Sequence, residues 1–103
     1  METTNILNVY TNNNQEENVI VIHPNDGLDI GLMNRIYTIK LSLQLLKDIN
    51  VMTTDWLVDG SIILENNCKT GSIVLSTKLW KSFGKPDNVR IVKNNENIYL
   101  LEK

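Results

Sequence analysis

His23 is the only histidine and Cys68 the only cysteine of the chain, so the nucleophile and metal chemistry open to it is narrow. A zinc site takes three or four Cys or His ligands, more than one chain of this sequence can supply. A thiolate at Cys68 would need His23 beside it, whereas a lone cysteine is commonly an inert core residue. No disulfide can form within the chain, which fits a reducing compartment. Ser42 and Ser76 each sit where a strand-like apolar run gives way to a helix-like one. A nucleophilic serine needs a base in reach and a strained, glycine-flanked turn. Neither is visible, so both read as N-caps whose hydroxyls accept from free amides of a first helical turn. Asp26, Asp29 and Asp55 lack the alternation of a calcium loop, and Gly31, Gly71 and Gly84 stand singly instead of forming a phosphate-cradling run. No catalytic residue, metal or cofactor is expected, and the chain reads as a non-enzymatic protein.

Charge and tryptophan are what remain. The net charge is −2, but its distribution is uneven. Most carboxylates precede residue 69, against only Arg35, Lys40 and Lys47; beyond it come Lys69, Lys78, Lys81, Lys85, Arg90, Lys93 and Lys103. Either the basic C-terminal third gathers into an anion-binding face, with Lys69, Lys78, Lys81, Lys85, Arg90 and Lys93 as phosphate contacts, or these are solubilising side chains spread over the surface. Trp80 shares a helical face with Leu79 and Phe83 and reads as core. Trp56, beside Asp55 at the start of an apolar run, is either core or the anchor of a protein partner.

The elements that position these residues follow from apolar spacing. A chain of 103 residues with 42% apolar residues and one Phe is expected to form a single domain, residues 1–103, with an aliphatic core. No run is long enough to span a membrane and the start lacks a secretion signal, so a cytoplasmic location is expected. Abundant Asn, Ile and Lys suit an AT-rich genome, such as that of a phage or a low-GC bacterium. Ile39–Lys47 and Ile73–Lys81 share Ile, Leu, Ser, Leu and Lys at matching places, which predicts a strand-helix-hairpin unit written twice, at about 37–65 and 71–101. Helices are expected after Ser42 and Ser76, a tight hairpin turn at Asp59-Gly60, and a softer one at Asn94–Asn97. Gly84 and Pro86 should end the second helix. Val19–Ile22 reads as a strand, 24–34 as a loop, and 1–17 as a partly mobile N-terminal segment. The fold expected is mainly β: a small barrel of about six to eight strands with two short helices and an extra N-terminal hairpin.

Residues Gly71 to Gly84, then Asp87-Asn88-Val89-Arg90-Ile91-Val92 and Ile98-Tyr99-Leu100, resemble the swapped-hairpin domain of AbrB, SpoVT and MazE-type proteins. The likeness covers 71–101 well and 37–65 weakly. In that family a strand, a short helix and a terminal hairpin pair with a second copy to form a small DNA-binding barrel. The chain has Ser76 where the family has a helix-starting proline, Asp87-Asn88 where it has Gly-Asp, and Ile73-Val74-Leu75 where it has a basic strand. The resemblance implies a DNA-binding transcriptional regulator, with a homodimer as one assembly. A fused pair is also similar to double-psi and other cradle-loop barrels, which serve both as enzyme cores and as interaction modules. The competing class is a protein-binding module, for example a phage-encoded inhibitor of a host protein, using the acidic N-terminal two thirds together with Trp56 and Asp55.

Overall fold

Alternating aliphatic residues draw most of the chain into strands. In the computed structural model, which describes residues 1–102, they are Glu2–Thr3 (β1), Leu7–Asn12 (β2), Val19–Ile22 (β3), Ile36–Ser42 (β4), Leu57–Leu64 (β5), Ser72–Ser76 (β6), Asn88–Asn94 (β7) and Asn97–Glu102 (β8). Two short helices, Pro24–Leu28 (α1) and Thr77–Ser82 (α2), follow β3 and β6. Among the described residues seven strands close a barrel in the order β2-β6-β3-β5-β4-β8-β7, and β1 stands outside the ring on β7. The mainly β barrel with two helices expected from the sequence is thus what forms.

Its interior is the inward half of each strand. Leu7, Ile20, Ile22, Ile39, Leu41, Ile62, Leu64, Ile73, Leu75, Val89, Ile91, Ile98 and Leu100 are all buried, and along each strand they recur at every second residue. Each fully buried side chain of this kind stabilises by about 1.5–3 kcal/mol. Ile30 and Leu32 after α1, and Leu79 and Phe83 of α2 and its end, join the same core.

The internal repeat runs in a different register from the one the sequence suggests. β3 and β6 pair antiparallel, with Val21 opposite Val74; β2 lies parallel to β6 and β5 parallel to β3. Val9, Ile20, Val21 and Ile22 thereby correspond to Ile62, Ile73, Val74 and Leu75 with no insertion. One connecting hydrogen bond is also repeated, Asn8 N to Gly71 O at 2.9 Å and Ser61 N to Asn18 O at 3.1 Å. Each unit is strand-strand-helix-strand, starting at β2 and β5, and β8 closes the ring between β4 and β7. Ile39 and Leu41 belong to the third strand of the first unit, Ile73 and Leu75 to the second strand of the second. Their likeness reflects the shared demand for alternate aliphatic residues in every stave.

Three local expectations change with the register. No α-helix follows Ser42; the chain bulges through 43–45 and rejoins β8, with Leu46 N donating to Leu100 O at 2.9 Å and Glu102 N to Leu46 O at 2.7 Å, and only a single 3-10 turn, Ile49–Val51, forms beyond it. The apolar spacing there serves two surfaces at once: Leu43 and Leu45 pack on the main core, while Leu46 and Ile49 cover Val92 and Tyr99 on the opposite face of β7 and β8. The first helix is instead α1, started by Pro24 and capped by His23, whose Nδ1 accepts from Asn25 N at 3.0 Å. Asp59-Gly60 is no turn but mid-β5, opposite Lys40 and Ile39. Gly60 is needed because a Cβ there would stand 2.5 Å from Asn18 O. The tight hairpin lies at Asn95-Glu96, where Asn95 takes a φ of 58°.

In place of the expected N-terminal hairpin, β1 pairs with β7 and β2 with both β6 and β7. The polar loop after β2 is tied down by Gln15, whose Nε2 donates to Val19 O at 2.7 Å and Val74 O at 2.9 Å.

Candidate functional site

Ser76 performs the capping role read for it: its Oγ accepts from Leu79 N at 3.1 Å and donates to Glu17 O at 2.8 Å. The Ser42 hydroxyl accepts only from Gln44 N, at 3.3 Å, and steadies the bulge. His23 spends Nδ1 on the α1 cap. Cys68 is buried with its thiol facing the Ser72 carbonyl oxygen at 3.7 Å; burial first, then the charges of Asp26 and Glu65, push its pKa above the ordinary 9.0. That direction favours the unreactive thiol over the thiolate. Among the described residues no three His, Cys, Asp or Glu side chains converge as metal ligands.

The six basic residues do not converge. Lys69 lies in the β5–β6 connection and Lys78 on α2, at opposite ends of β6. Lys78 pairs with Glu17 at 3.4 Å, and Lys93 with Glu2 at 3.3 Å, so both ammonium groups face a carboxylate. Lys81 lines the same hollow as Lys78, and the Lys85 ammonium lies 5.9 Å from the centre of the Trp80 ring. Arg90 sits on β7, half-buried beside Asp48 and Glu102. What gathers is a shorter set on and just after α2, Lys78, Lys81 and Lys85.

The tryptophans separate cleanly. Trp80 packs against the core and donates from Nε1 to Pro86 O at 3.0 Å. Trp56 is 59% exposed, with exposed Asp55 beside it. Its backbone carbonyl accepts from Leu43 N at 2.9 Å, which fixes the end of the long β4–β5 link against the bulge. Between that bulge and the end of α2 lies a groove of about 570 Å³, lined by Leu43, Leu45, Lys47, Trp56 and Phe83 among others. Trp56 is named from sequence but the groove is not, because Leu45, Leu46 and Ile49 read as one face of a helix, whereas Leu45 packs on the main core and Leu46 and Ile49 on the opposite face of β7 and β8.

Tyr37 was also missed. Its hydroxyl accepts from Asn34 N and Met33 N, both at 2.8 Å, and these bonds hold its pKa below the ordinary 10.0. They anchor the link from α1 into β4. Lys40 has its pKa raised by the hydrogen bond from its ammonium to Asp59 and by that carboxylate's charge.

This barrel with a surface groove defines a fold and not a family: no protein-family model matches the chain, nor does any curated protein or solved structure. No helix among the described residues is long and apolar enough to cross a membrane.

Proposed function

We propose that this protein is a non-enzymatic module that binds another protein, through the groove walled by Trp56. One observation carries the reading: a large aromatic ring left 59% exposed at the mouth of an apolar groove whose floor is held by the barrel core. Exposed Trp at such a place is the usual composition of an interaction hot spot, and the groove is within the ordinary range of about 300–1,000 Å³ for ligand sites. A host protein bound and inhibited by a phage-encoded barrel is one form this activity takes. The test needs no prior partner. A displayed library of random peptides panned on the wild type should enrich binders that Trp56→Ala fails to retain. Equal enrichment on both proteins, or none on either, overturns the reading.

A second reading, the DNA-binding regulator implied by the AbrB-type resemblance, is favoured by Lys78, Lys81 and Lys85 on and after α2. Titration of a labelled duplex at several salt concentrations tests it: binding should weaken steeply with salt and lose part of that slope in Lys81→Glu. The pairing of Lys78 and Lys93 with carboxylates, and the net charge of −2, weigh against it.

A further inference from the structure

We infer that residues 47–55 form a strap that lifts from the barrel as a unit, and that a ligand in the Trp56 groove holds it shut; the second half rests on the protein-binding reading above. The strap is the free part of the β4–β5 link, whose two ends are fixed. At one end Leu46 is bound to β8 through its amide and its carbonyl; at the other the Trp56 carbonyl accepts from Leu43 N at 2.9 Å, which closes the loop on itself. Between these ends every hydrogen bond among the described residues is internal. Asn50 N and Val51 N donate to Asp48, and Asp55 N donates to the Thr53 hydroxyl. Among the described residues Lys47, Asp48 and Asp55 join no ion pair. What holds the strap down is apolar contact alone, the half-buried Ile49 and Met52 on Val92 and Tyr99, apart from the main core. Even that contact is incomplete, because a hollow of about 330 Å³ lies between Lys47, Asp48 and Ile49 on one side and Arg90 and Leu101 on the other. A segment with so few buried contacts and no bond to its support opens at a free energy well below that of the whole fold. The loop after β2 is the contrast, since Gln15 ties it to β3 and β6.

Opening uncovers Val92 and Tyr99, which are 0% and 2% exposed while the strap is closed. The same motion carries Lys47 out of the groove wall and frees the chain leading into Trp56, so both ends of the strap belong to the groove. A ligand that touches Lys47 and Trp56 binds the closed form better than the open one. By linkage it stabilises closure, and whatever favours opening weakens its binding to the same degree.

Thiol labelling of the folded protein decides it, in the full chain with Cys68→Ala so that one introduced cysteine reports alone. Val92→Cys and Tyr99→Cys mark the face under the strap, while their neighbours Ile91→Cys and Leu100→Cys mark the barrel interior; either member of each pair suffices. Without denaturant the covered face should react about tenfold or more faster than the interior, and faster than each variant's own global unfolding allows. Ile49→Ser with Met52→Ser should speed labelling of the covered face and leave the interior rate behind. Equal rates on the two faces, or labelling of both only through global unfolding, overturn the strap. A peptide selected by panning on the wild type should slow labelling at Val92→Cys. An unchanged rate with that peptide bound overturns the link to the groove while the binding module stands. If panning yields no peptide, the binding module and the link fall together, and the labelling contrast still decides the strap.

Discussion

The carboxylate of Asp26, on α1, accepts a hydrogen bond from the backbone amide of Gly71 across 2.8 Å, and so joins the helix of the first unit to the connection that enters the second. Asp26 is only 5% exposed and Gly71 has a φ of 82°, so the amide is aimed at the helix by a backbone shape that glycine adopts without strain. Asp26→Ala leaves that amide without its partner. A loss of about 1–3 kcal/mol in chemical denaturation is expected.

Ser76 and Ser42, read alike in the sequence, should part company when mutated. Ser76→Ala removes both a cap of α2 and the bond to Glu17 O, and should cost about 1–2 kcal/mol. Ser42→Ala removes one longer bond to Gln44 N and should cost less. Urea midpoints of the two variants, compared at constant slope, check the order.

Two glycines make a similar contrast. At Gly60 a Cβ would meet backbone, Asn18 O at 2.5 Å, and that atom is held by its bond to Ser61 N. Gly60→Ala should therefore cost roughly 1–3 kcal/mol or more, as overpacking does. At Gly71 nothing lies within 4 Å, so Gly71→Ala meets only the positive-φ penalty of about 1–2 kcal/mol. Thermal unfolding of both variants measures the difference.

Cys68 makes stability depend on alkaline pH. Its folded pKa lies above the ordinary 9.0, so the stabilising contribution is complete below that value. As pH rises past it the unfolded thiol ionises first and the contribution is lost. Tyr37 acts in the opposite sense, since its lowered pKa favours the folded state above the ordinary 10.0. The difference between wild type and Cys68→Ala isolates the thiol: the variant should lose less stability between neutral pH and about pH 10. Parallel losses would show that the thiol is not responsible.

Trp56→Ala should separate binding from folding. The ring is mostly exposed, so unfolding should shift by about 0.5 kcal/mol or less while peptide capture is lost. A large fall in stability would mean that the ring belongs to the fold instead.

The strands were legible because Val19–Ile22 and Ile73–Leu75 alternate or run apolar between turn residues, and the second helix because Ser76 and Gly84 punctuate it. The first helix was not legible. Pro24-Asn25-Asp26-Gly27 has the composition of a turn, yet Pro24 at the first helical position, His23 as cap and Asp26 as a buried bond partner support a helix there. Leu43 to Ile49 misled in the other direction, since a segment that covers two surfaces imitates the spacing of a helix with one face. Asp59-Gly60 carried a hairpin signal for a different reason, the close passage of Asn18. Trp56 could be named from sequence, but the groove beside it depends on the Leu43–Leu45 bulge.

The interleaving of the two units bears on how the chain reaches its folded state. β6 fills the gap between β2 and β3, and β3 the gap between β5 and β6, so neither half owns a complete hydrophobic interior. A nascent polypeptide leaving the ribosome must hold β2 and β3 apart until β6 has been made, and the ring stays open until β8 slots beside β4. Acquisition of structure is then a late, concerted event governed by pairings distant in sequence. Slow refolding and a need for protection of the growing chain are the expected kinetic signature.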